Sequence, residues 1–335
     1  MKRVKILETI LLRMKVLLTG AFGNIGESTL LALFEKNYDI RCFDLTGERN
    51  AKIAKKLGKT GKFEIIWGDI LDFPLVKSIV KDVDCIIHLA GIIPPLSELK
   101  PELAKSVNLE GTKNIIKAAE NQEVKPKLIF ASSVSTYGPT MHQQPPRTAD
   151  DPLNPTDTYT GTKVECEKII RESSLPWTIL RFAAAPPAEL GSDIDSIIFE
   201  IPLDQRIEFV HSRDVGIACA NAVEADTIGK TLLIGGGPSS QMLQREFVSK
   251  IFEGMGIGML PDSAFRVATK PEEYYYTDWL DTEESQRLLQ FQTRSFDDYI
   301  EELRSQLGMM KYVAKLFKGQ AQKRVLVASP YYKDE

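Results

Sequence analysis

The stretch from Met14 to Phe34 constrains the chain most. An apolar run, Val16-Leu17-Leu18, breaks at Thr19-Gly20-Ala21-Phe22-Gly23-Asn24-Ile25-Gly26 and resumes as an amphipathic segment. A short unbroken apolar run predicts a buried strand, and the apolar spacing that follows predicts a helix. Glycines at 20, 23 and 26 let the backbone turn tightly and approach a pyrophosphate with no side chain in the way. Amides at the helix start then meet its negative charge. Glycine turns alone are common, but in strand, turn, helix order they predict a dinucleotide site lined by Gly20, Gly23, Asn24, Ile25 and Gly26.

The same rhythm continues through apolar runs at 40–43, 63–67 and 85–89, alternating with amphipathic segments at 51–57 and 75–80. A long helix from about 101 to 121, a strand at 127–130, a helix over 157–173 and a strand at 177–182 follow. Strand and helix in alternation predict an α/β fold, a doubly wound, Rossmann-like parallel sheet with helices on both faces. After Arg181 the rhythm breaks at Ala183-Ala184-Ala185-Pro186-Pro187 and in the stretch 191–195. The expected organisation is an N-terminal extension (1–13), an NAD-binding domain (14–182, with 206–224 returning to it), a smaller C-terminal substrate-binding region (183–205 and 225–307) and an amphipathic basic tail (308–335). Asp214 is expected to cap the amides of a helix that begins beside it.

With 43% hydrophobic and 26% charged residues, the 335-residue chain has the composition of a soluble globular protein. Its net charge of −4 offers no broad attraction to nucleic acid, so a small-molecule partner is expected. Cys42, Cys85, Cys166 and Cys219 are scattered, with no paired spacing and no histidine cluster to hold zinc. They read as reduced, hydrophobic thiols in a cytoplasmic protein, and no metal site is expected. Glu8 splits the early apolar stretch and no small-residue cleavage site follows, so residues 1–13 are not expected to act as a signal peptide and read as an added helix or an upstream start. In the tail, Met309, Met310, Tyr312, Val313, Leu316 and Phe317 share one helical face. The expectation is a helix docked on its own domain or on a sister subunit of a homodimer, in preference to peripheral membrane contact, and no membrane span.

Asp44 ends the second predicted strand, where a carboxylate accepts the hydroxyls of an adenosine ribose and repels a 2′-phosphate. NAD is therefore expected over NADP, with Arg41 and Arg49 close enough in sequence to leave NADP open. Asp69 and Ile70 follow the third strand, placed to meet the adenine amino group and ring. Leu89, Ala90 and Gly91 end the fourth strand, where small residues let a cofactor pass close to backbone. His88 reads as a structural histidine, and His142 and His211 are weaker candidates for chemistry.

Tyr159 and Lys163 lie one helical turn apart, so their side chains leave the same face. A fixed ammonium beside a phenol favours the phenolate, and a lowered Tyr159 pKa is expected. With Ser133 upstream, the three residues describe an oxidoreductase site.

The motifs TGAFGNIG (19–26), FDL (43–45), GDI (68–70), HLAG (88–91), VNLEGT (107–112), SSVSTYG (132–138), YTGTK (159–163), WTILR (177–181) and the strand-like YTDWLDTEESQRLL (276–289) occur in order. In these the chain resembles extended short-chain dehydrogenases/reductases of the NAD-dependent epimerase/dehydratase family, from Met14 to about Leu307. The resemblance implies that Ser133 hydrogen-bonds the substrate oxygen, Tyr159 exchanges its proton, Lys163 tunes Tyr159 and holds the nicotinamide ribose, and Asn108 supports the nicotinamide site.

Two departures narrow the expectation. Val134-Ser135 replaces the Asp-Glu pair of sugar-nucleotide dehydratases, and no asparagine follows WTILR, which puts a nucleotide-diphosphate substrate in doubt. The loop 139–155 is expected to border the substrate, with Arg147 facing solvent or, less favoured, pairing an anion. The expected function is an NAD-dependent oxidoreductase acting on a secondary alcohol or ketone of a sugar or sugar-derived compound. A 4-epimerase with retained NAD and a catalytically silent NAD(H) sensor or scaffold are the alternatives.

Overall fold

The computed structural model describes residues 13–187 and 196–333. The expectations for residues before Arg13 and for the stretch 191–195 fall outside the described residues. Strands and helices alternate as β1 (Lys15–Thr19), α1 (Asn24–Phe34), β2 (Asp39–Asp44), α2 (Glu48–Leu57), β3 (Glu64–Trp67), α3 (Phe73–Val80) and β4 (Cys85–His88). Two short helices, α4 (Leu96–Leu99) and α5 (Pro101–Lys105), lead through a π-helical turn (Ser106–Glu110) into α6 (Gly111–Glu120). Next come β5 (Lys127–Ser133), α7 (Thr158–Glu172), β6 (Trp177–Phe182), α8 (Ile197–Glu200), β7 (Arg206–Glu208), α9 (Ser212–Asn221), β8 (Lys230–Ile234) and β9 (Gln241–Leu243). The chain closes with α10 (Gln244–Gly254), α11 (Glu283–Leu289), α12 (Phe296–Leu307), α13 (Met310–Leu316) and α14 (Lys318–Leu326).

Seven strands form one parallel sheet in the order β3-β2-β1-β4-β5-β6-β8. The order reverses between β1 and β4, which opens a crevice at the carboxyl ends of the strands. Side chains alternate across the sheet, so each central strand feeds two cores. Val16, Leu18, Cys85, Ile87, Ile129 and Leu180 pack beneath α1 and α9, whereas Leu17, Ile86, Leu128, Phe130 and Ile179 pack beneath α3, α6 and α7. All four cysteines are buried, and burial pushes the Cys85 and Cys219 thiols up to about 12, as expected of packing residues.

Several expectations for the second half need correction. β7 does not return to the main sheet but pairs antiparallel with β9, while α9 does return, pressing Gly216 against the backbone of Ser28. β8, placed by sequence in the substrate region, instead extends the main sheet beside β6. The stretch 276–289 makes one bridge, from Leu280 to Arg147, before turning into α11. Asp214 does not cap α9; His211 Nδ1 accepts from Arg213 N, and Asp214 accepts the amides of Thr293 and Arg294, each at 2.8 Å.

A third core, with Phe199, Phe209, Phe247, Phe252, Phe265 and Phe296, sits under α10 and α12. Glu208 ties this region to the sheet by accepting from the amides of Gly237 and Leu280 and from Gln241 Nε2. Arg147, expected at the surface, is 5% exposed and ion-paired to Asp151 at 2.9 Å. Its backbone pairs with Trp279 and Asp281, which pulls the side chain inward.

Candidate active site

At the glycine turn, Gly20 adopts φ +68°, and a Cβ there would fall 2.8 Å from Ala90 N. At Gly26 a Cβ would fall 2.0 Å from Gly20 O, so neither position accepts a side chain. Gly23 is roomier and starts α1 with no side-chain cap, which leaves the first-turn amides to a ligand. Asn24 Nδ2 reaches across to Ala185 O at 3.2 Å, and Ile25 packs against the core. These features suit a pyrophosphate at the turn.

Asp44 accepts from Phe22 N and Leu45 N, both at 2.8 Å, and burial raises its pKa against the pull of those bonds. Arg41 is spent on Glu64 at 2.7 Å and on Ile79 O, away from any 2′-phosphate. Arg49 donates to Phe22 O at 3.1 Å, beside the Asp44 carboxylate. Asp69 is exposed and accepts from Leu71 N, while Ile70 is 5% exposed and wedged against Gly111. Ile70 thus packs chiefly against the core.

His88 is structural. Thr112 Oγ1 donates to Asn108 O at 2.6 Å, so it accepts from His88 Nε2 at 2.9 Å. His88 Nδ1 must then accept from Thr19 Oγ1 at 2.7 Å, and Thr19 Oγ1 accepts from Ala90 N at 3.3 Å. Burial, with the neighbouring Lys163 charge, holds His88 down at about 3.

Asn108 sits in the π-helical turn, 3% exposed, where the widened turn lets its side chain reach Ile92 N (2.7 Å), Ile92 O (2.9 Å) and Thr162 Oγ1 (3.2 Å). A Cβ on Gly91 would fall 3.2 Å from Asn108 Oδ1 and 3.9 Å from Lys163 Nζ, so the chain after Leu89 and Ala90 passes close to both side chains at Gly91.

Ser133 ends β5 with its Oγ 2.7 Å from Ser135 Oγ and partly open to solvent. Ser132 points the other way and is spent on Glu167 at 2.6 Å. The pleat therefore leaves Ser133 as the serine facing Tyr159, whose phenol it hydrogen-bonds. Lys163 Nζ stands 5.7 Å from the Tyr159 ring centroid and donates to Ala131 O at 2.6 Å, which uses one of its three donors.

The expected lowering of the Tyr159 pKa is not found. Burial pushes the phenol up to about 12, and the Ser133 hydrogen bond offsets only part of this. Burial also lowers Lys163 from 10.5 to about 8, which weakens the cation meant to acidify the phenol. Between about pH 8 and 10 the unfolded chain then holds more protons at Lys163 than the folded one, so Lys163 contributes stability that grows with pH across that window, against the opposite contribution of the buried thiols. In urea unfolding across that window, stability plotted against pH should have a less positive slope for Lys163→Met than for the wild type; identical slopes would contradict the burial assignment.

The start of α7 carries residues that the sequence reading missed. Asp157 and Thr160 form a reciprocal capping box, legible in principle from their spacing. Glu98 accepts the amides of Thr158 (3.1 Å) and Tyr159 (3.0 Å) from across the cleft. Tyr276, from the C-terminal region, hydrogen-bonds Asp157 and is raised by burial and by that carboxylate. No local pattern marks Glu98 or Tyr276. Among the described residues no His, Cys, Asp or Glu cluster could hold a metal ion.

Sheet order, glycine turn and the Ser133, Tyr159, Lys163 grouping together define a doubly wound nucleotide-fold protein with a serine, tyrosine and lysine centre. Residues 17–175 match the 3-beta hydroxysteroid dehydrogenase/isomerase family. These matches support the resemblance to the extended short-chain dehydrogenases/reductases of the NAD-dependent epimerase/dehydratase family. It is 33% identical over 193 residues to a UDP-glucose 4-epimerase of Lactobacillus helveticus, covering 54% of this chain and 56% of that protein. It is 30% identical over 165 residues to a 3-beta-hydroxysteroid dehydrogenase of Mycolicibacterium neoaurum, covering 47% and 42% of the two chains. The matches thus span about half the length of these curated relatives. In fold it is similar to the UDP-glucuronic acid 4-epimerase of Bacillus cereus solved with UDP-glucuronic acid and NAD (TM-score 0.73, 21% identity, 90% of this chain and 100% of that one).

Proposed function

We propose that this chain is an NAD-dependent oxidoreductase acting on a secondary alcohol or ketone of a sugar or sugar-derived compound. The observation that carries the reading is the convergence of Ser133, Tyr159 and Lys163 beside Gly91 and Asn108, at the mouth of a glycine turn that excludes any Cβ. Bound NAD supplies the hydride acceptor or, when reduced, the donor. Ser133 Oγ orients the substrate oxygen, and Tyr159 Oη carries the proton. Held near 12, the phenol is protonated at neutral pH and ready to donate, which suits ketone reduction. For oxidation, the Lys163 cation at 5.7 Å from the ring opposes the burial that resists phenolate formation. The unspent Lys163 donors are available to the ribose of the cofactor. Residues 14–182 with α9 and β8 make up the cofactor-binding part in this reading, and β7, β9 and the helices α10 and α12 the substrate-binding part.

The Asp44 carboxylate and the engagement of Arg41 support NAD over NADP. Isothermal titration should give binding tighter for NADH than for NADPH by about tenfold or more, the scale of a charge-assisted contact; the reverse order would overturn the cofactor assignment. A 4-epimerase is the second reading, supported by the Lactobacillus helveticus relative. Net NADH formation from free NAD distinguishes a dehydrogenase, and isomerisation of a sugar without added cofactor distinguishes an epimerase. Val134, buried behind Ser133, offers no acid or base for dehydration. A silent sensor is disfavoured by the retained Tyr159 and Lys163. Buried free thiols support a reducing, cytoplasmic setting, and no described helix is long and apolar enough to cross a membrane. The net charge of −4 supports a small-molecule partner over nucleic acid, and exposed Leu96, Leu99 and Leu103 on α4 and α5 are compatible with a homodimer.

A further inference from the structure

The tail helices dock, but with the face opposite to the bulky apolar one. Ala314 of α13 and Ala321, Val325 and Leu326 of α14 pack into the third core. Gln322 Nε2 donates to Ile257 O (3.0 Å) and Met259 O (3.2 Å), and Ser329 Oγ donates to Ala264 O at 2.6 Å, which pins the pair in place. Met309, Met310, Tyr312, Val313, Leu316 and Phe317 are turned to solvent, Leu316 with 78% and Phe317 with 52% of its surface exposed. Met309, Tyr312, Val313 and Leu316 fall at i, i+3, i+4 and i+7, so the exposed side chains form one stripe. From Leu303 to Lys333 the chain carries seven basic and no acidic side chains, within a protein of net charge −4. Lys315, Lys318, Lys323 and Arg324 among them are exposed on the same two helices.

We propose that this surface attaches the protein peripherally to a bilayer of anionic phospholipid. A fixed pair of helices presenting apolar side chains flanked by cations has the form of an interfacial anchor, with lysine stems lying along the apolar layer and ammonium groups at the phosphates. The charge weighs against the obvious alternative of two-fold pairing with a second copy. Such pairing would bring the same basic patch face to face with itself.

The test uses the full chain with vesicles of phosphatidylcholine, with and without phosphatidylglycerol. Sedimentation should increase about tenfold or more with the anionic lipid and fall at high salt, as screening of several exposed cations requires. Leu316→Asp with Phe317→Asp should abolish sedimentation with helical content and NADH binding unchanged, and Lys315→Glu with Lys323→Glu should reduce it at low salt. Failure to sediment with anionic vesicles at low salt would overturn the proposal, as would undiminished sedimentation of the Leu316→Asp, Phe317→Asp variant. A concentration-dependent dimer abolished by that variant, without vesicle binding, would assign the face to a second copy.

Discussion

Tyr159→Phe should lower turnover by about 10²- to 10⁴-fold, the usual contribution of a positioned general acid or base, while NADH affinity stays within about twofold of wild type. The change removes one oxygen and leaves the ring. The start of α7 is held through Asp157, Thr160 and the two amides on Glu98, none of which involves the phenol. Backbone position, Lys163 and the glycine turn therefore survive, and only the proton carrier is lost. Single-turnover hydride transfer with a substrate chosen from a panel of sugars and polyols, set against NADH fluorescence titration, separates the two effects. Full activity in the variant would remove Tyr159 from the mechanism. Joint loss of binding and activity would point to collapse of the site.

Arg181→Met should cost about 3–5 kcal/mol of stability, the range for stranding one partner of a buried ion pair. Arg181 is 2% exposed and meets the fully buried Glu167 through two bonds, Nε at 2.9 Å and Nη2 at 2.7 Å. Its Nη1 holds Tyr137 Oη at 2.6 Å and Ala149 O at 2.9 Å, and Tyr137 in turn donates to Thr148 O. Glu167 also receives Ser132, the neighbour of Ser133, so the network lies directly behind the reacting serine. In the variant, Arg171 and Ser132 alone face the carboxylate. Replacing both partners, Arg181→Met with Glu167→Leu, should recover much of the loss, because two apolar groups leave no uncompensated charge. Urea unfolding of the single and double variants checks this; a loss under about 1 kcal/mol in the single variant would show that the network contributes little.

Much of this architecture was legible because it rests on local pattern. Unbroken apolar runs marked strands buried on both faces, and glycine at 20 and 26 marked backbone contacts that admit no side chain. The spacing of Tyr159 and Lys163 placed the two on one helical face, as the 5.7 Å separation shows. What escaped depends on contacts distant in sequence. The phenol's acidity is governed by burial, which spacing does not report. Arg147 is drawn inward by ladder bonds to residues around Leu280, more than a hundred positions away. β7 left the main sheet because β9 offered it a partner that no pattern near residue 206 announces. In the tail, the small alanines took the packing role that bulk alone would assign to Leu316 and Phe317.

The directed chain through Thr19, His88 and Thr112 insulates the underside of the site. Every link already has its donor assigned, and an imidazole held at about 3 accepts no hydrogen ion near neutrality. In the proposed reaction, traffic from the tyrosine would then run by way of the serine hydroxyls or the cofactor ribose.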